Sequence, residues 1–103
     1  LFIVLEIAAL IGIAASGNFV FVTANGNNRV TAVDVSNPSA PVIASSLSDA
    51  TNLLNARGIV ISGKYAYVGA TESNRVTIID ISNPFKKHLF KCFFILRNHN
   101  IYL

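Results

Sequence analysis

The sequence predicts an all-β fold of two antiparallel, blade-like sheets with up to four strands each, and three observations predict it. Residues 12–38 are written again at residues 58–84, 46 positions on and without a gap. Gly12, Ile13, Ser16, Gly17, Val22, Ala24, Asn28, Arg29, Val30, Thr31, Asp34, Ser36, Asn37 and Pro38 recur identically in the second copy. Most other differences are conservative, such as Phe19 for Tyr65 and Val33 for Ile79. Within each copy, apolar runs of strand length are separated by turns rich in Gly, Asn and Ser, the punctuation of hairpins. The period itself falls in the roughly 40–50-residue range at which propeller blades recur. Together these describe a partial β-propeller.

Each element follows from its residues. The runs at 13–15 and 59–61 end at Ser-Gly followed by Asn18 or Lys64. A Gly-X pair marks a two-residue hairpin turn, because glycine accepts positive φ. The next runs, Phe19–Ala24 and Tyr65–Ala70, place their two rings at i and i+2, hence on one face of a strand. Polar loops follow at 25–28 and 71–74. The strands at 29–35 and 75–81 are apolar on both faces, as expected of strands covered on both sides. Ser36-Asn37-Pro38 ends the third strand, since proline cannot donate to a ladder. Residues 41–47 read as a fourth, outer strand with Ser45 and Ser46 toward solvent, and 48–55 as a polar linker into the second unit.

The expected division of the chain is therefore 1–10, the end of a preceding blade or an apolar leader; 11–56, a first blade; 57–84, a second, incomplete blade; and 85–103, a basic and aromatic tail. Residues 1–16 are apolar but interrupted by Glu6, too short for a span of about 20 residues and without a basic start. No membrane span is expected. After Pro84 the repeat stops and the composition shifts. Either another element replaces the fourth strand or the reading frame runs past the coding boundary, and the second reading is preferred. Residues 87–96 are still apolar enough to occupy the strand position beside 75–81. With no methionine, the chain reads as an internal piece of something longer.

Composition excludes several functions. The net charge of +3 comes from the tail; four cations against five acids leave residues 1–84 at −1. That is no phosphate-binding face, and no nucleic-acid partner is expected. One cysteine makes no internal disulfide. His88, Cys92 and His99 lack a fourth ligand, so neither metal nor cofactor is expected. Asp34 and Asp80 recur at one repeat position beside the Ser-Asn-Pro turn, where an aspartate accepts hydrogen bonds from turn N–H groups. They are expected to be structural, since a catalytic pair needs unlike environments. Arg29 and Arg75, which open strands, are expected to bridge blades. Ser16 and Ser62 precede hairpin glycines and lack a nucleophile-elbow pattern.

The phrases SGNFVFVTA, RVTAVDVSNPSAPV, SGKYAYVGA and RVTIIDISNP resemble the LVIVD-repeat family of β-propellers. The hairpin half of that pattern falls on residues 16–22 and 62–68. The strand-and-turn half falls on 32–42 and, cut short, on 78–84. A second resemblance is to YVTN-type surface propellers, which carry SPDG where this chain has Ser-Gly and lack the Ser-Asn-Pro turn. The LVIVD resemblance implies a propeller of several blades, often secreted or at the cell surface, with no common activity. It implies a non-catalytic protein- or glycan-binding scaffold whose partners include the remaining blades. The alternative is a propeller enzyme whose catalytic residues lie in other blades. Loops at one end of the sheets are the binding candidates: Asn25, Asn27, Asn28, Asp49, Asn52, Asn55, Glu72 and Asn74. A two-blade piece also leaves sheet faces uncovered, so by itself it is expected to be marginal or sticky.

Overall fold

A computed structural model describes residues 10–24, 28–72, 75–85, 88–97 and 100–102. Among the described residues every regular element is a strand. Strands β1 (Leu10–Ser16), β2 (Phe19–Ala24), β3 (Arg29–Asp34) and β4 (Val42–Ser48) form one antiparallel sheet in that order. Strands β5 (Ala56–Ser62), β6 (Tyr65–Ala70), β7 (Arg75–Asp80), β8 (His88–Arg97) and β9 (Asn100–Tyr102) form the second. The two-sheet meander expected from the repeat is present. The second sheet carries one strand more than expected, because β9 pairs back on the end of β8. The tail thus supplies the strand beside β7 that the repeat itself no longer encodes.

Local chemistry sets the hairpins. Ser16 pairs with Phe19 and Ser62 with Tyr65, leaving two-residue turns. Gly17 and Gly63 take φ of 57° and 58°, the Gly-first geometry whose twist matches the flanking strands. Each repeat then closes its third strand in the same way. Asp34 Oδ1 accepts from the Ser36 N–H at 2.9 Å, and Asp80 Oδ1 from the Ser82 N–H at 2.9 Å. The N–H bonds set these aspartates as turn acceptors, as expected. The Ser36 N–H and hydroxyl also hold the Asp34 carboxyl below its ordinary range.

The two sheets pack face to face. From the first come Phe21, Val30 and Ala32, with Ala14, Phe19, Ala44 and Leu47 at the margin. From the second come Ala56, Ile59, Ala66, Val68, Ile79 and Ile81. Both β3 and β7 are buried along their central residues, as their two-faced apolarity requires. Phe85, beyond the second Ser-Asn-Pro turn, crosses back to meet the Phe19 ring edge-on at 5.4 Å.

Two expectations need correction. Ser45 does not face solvent: its hydroxyl donates to the Pro84 carbonyl of the second unit. The register of β3 and β4 shifts between Ala32 and Val33, so Ala44 is an inserted bulge residue. Past a bulge, neighbouring residues still alternate between faces, so Ser45 and Ser46 cannot point the same way. Ser46 lies on the opposite face, 3.3 Å from the Thr31 hydroxyl. Nor is the linker simply polar, since Leu53 within it is fully buried.

Candidate functional site: a loop cluster at one end of the sheets

Strand alternation brings the β2–β3, β4–β5 and β6–β7 connections to the same end, where hydrogen bonds tie them together. Asn28 is the hub. It adopts φ of 51°, a left-handed conformation that asparagine tolerates better than other side-chain-bearing residues. That turn aims its carbonyl at the Asp49 N–H (3.0 Å) and its Oδ1 at the Asn55 N–H (3.1 Å). One residue therefore holds both ends of the linker.

Asp49 organises the linker between those ends. Its Oδ1 accepts from the N–H groups of Thr51 (2.9 Å) and Asn52 (2.8 Å), and its Oδ2 from Asn52 Nδ2 at 3.0 Å. Its carbonyl accepts from the Leu53 N–H, closing a single helical turn with the aspartate as its cap. That turn drives Leu53 into the core between the sheets. Burial raises the Asp49 carboxyl, the largest single effect. The bonds from Asn52 and Thr51, joined by the nearby Arg75 charge, outweigh it and leave the group below its ordinary value.

The far side of the cluster belongs to the second unit. Arg75 Nη1 donates to Asn52 Oδ1 at 2.6 Å, and the Thr77 hydroxyl donates to the Asn52 carbonyl. Arg75 thus bridges the units, as expected, by hydrogen bonding to the linker; Arg29 is exposed. Asn55, at φ of 54°, donates through Nδ2 to Thr71 Oγ1 (3.0 Å), while the Thr71 hydroxyl donates to the Asn55 carbonyl at 3.2 Å. Asn55 Oδ1 is buried and, among the described residues, accepts no hydrogen bond.

The candidates therefore divide. Asn28, Asp49, Asn52 and Asn55 are brought together, with their polar groups turned on one another and on the next unit. Glu72 is exposed beside them, as are Thr51 and Thr71 of the same loops. Asn25, Asn27 and Asn74 lie outside the described residues. So does His99 of the His-Cys-His spacing. Among the described residues no group of three His, Cys, Asp or Glu side chains could hold a metal ion, and no helix is long and apolar enough to cross a membrane.

Beside the cluster, where β5 leaves the linker, lies a seam that sequence reasoning also missed. The Gly12 N–H donates to Thr23 Oγ1 at 2.9 Å, and that hydroxyl donates to the Arg57 carbonyl at 2.7 Å. The register of β5 and β6 shifts between Ala56 and Gly58, which lifts Arg57 out of the ladder and leaves its carbonyl available. A Cβ on Gly12 would collide with that carbonyl oxygen and crowd Thr23 Oγ1 at 2.8 Å.

Two consecutive units of one pattern carry the assignment. Residues 11–49 and 55–89 each match the LVIVD repeat. The chain belongs to the LVIVD-repeat family. The expected resemblance is thus established over both units, and the LVIVD-repeat architecture of paired blades is the one observed. Neither a curated protein nor a solved structure matches the chain significantly.

Proposed function

We propose that the chain is part of a non-catalytic β-propeller scaffold, secreted or held at a cell surface, that binds protein or glycan at the loop end. The observation that carries this reading is the locked cluster. Asn28, Asp49, Asn52 and Asn55 spend their polar groups fixing three connections against one another. The exposed Glu72 is then displayed on a stiff platform. Preorganised loops lose less entropy on binding, which is how rigid scaffolds present variable contacts. A carboxylate accepts from sugar hydroxyls and backbone amides alike. Membership of the LVIVD-repeat family supports the repeat-scaffold part of this reading.

A glycan microarray, paired with photo-crosslinking from a reactive residue at position 72, tests the proposal. Binding should weaken about tenfold in Glu72→Lys, roughly 1.4 kcal/mol, with the urea midpoint unchanged. A crosslinker at Val60, away from the loops, should capture nothing that the one at position 72 captures. The reading is overturned if no glycan is retained and no partner crosslinks at position 72, or if Glu72→Lys leaves binding intact.

A further inference from the structure

We draw no further inference here: the strongest candidate, the exposed apolar patch where Val60 of β5 pairs with Tyr67 of β6 on the outer face of the second sheet, carries none because nothing in the structure shows what covers it.

Discussion

Single residues do different work in the two copies of one pattern, and glycine shows it most clearly. Gly12→Ala forces a methyl group onto the Arg57 carbonyl and into the Thr23 bridge. Overpacking of this kind costs about 1–3 kcal/mol, so the urea midpoint is expected to fall clearly. Gly58→Ala meets open space. The same measurement should leave it unchanged or slightly raised, because alanine restricts the unfolded chain more than glycine does. Asn28 is a second test at this scale. Asn28→Ala removes the acceptor for the Asn55 N–H and puts a methyl-bearing residue at φ of 51°. Left-handed backbone costs about 1–2 kcal/mol for such a residue, so denaturation by urea should show a loss of at least that size.

Among the elements, the linker carries more than its polar letters suggest. Leu53 anchors it between the sheets, and Leu53→Ala is expected to lose about 2–5 kcal/mol, enough to unfold a small domain outright. Asp49→Ala removes the cap of the turn that delivers Leu53, and should cost about 1 kcal/mol by urea titration. The pH dependence has a definite sign. Folding lowers the Asp49 carboxyl below its ordinary value of 3.8. A depressed carboxylate contributes stability above its unfolded pKa and loses it as pH falls through the folded one. The gap between the wild-type chain and Asp49→Ala should therefore be full at about pH 6 and shrink as pH drops below 3.8. A gap that stays constant with pH would show that the carboxylate's charge is not what holds the turn.

For the whole molecule, two sheets related by translation along the chain cannot satisfy each other symmetrically. The first unit meets the second through the Phe21 face and the second meets the first through the Ile59 face, so the repeat-related residues Tyr67 and Ile13 are left exposed. At this scale the loop end and the sheet faces are separate surfaces. Glu72→Lys should therefore change ligand binding, and Ile13→Lys should leave it unchanged.

Much of this was legible in the residues. The translation by 46, the Gly-X hairpins, the aspartate at each Ser-Asn-Pro turn and the gathering of three loops at one end all follow from local rules, because turn chemistry and strand alternation act over a few residues. The loop candidates were legible as a place and not as roles. Asn28, Asp49, Asn52 and Asn55 read as exposed polar residues, and only the packing of linker against loop turned them inward on one another. The bulge at Ala44, the burial of Leu53 and the bridge from Gly12 through Thr23 to Arg57 were out of reach in the same way. The sequence alone determined that this chain repeats a blade, since side-chain period and turn residues are written locally. Which face of each blade is inside was decided by the tertiary structure, because identical letters such as Gly12 and Gly58 differ only in whether another sheet lies across from them.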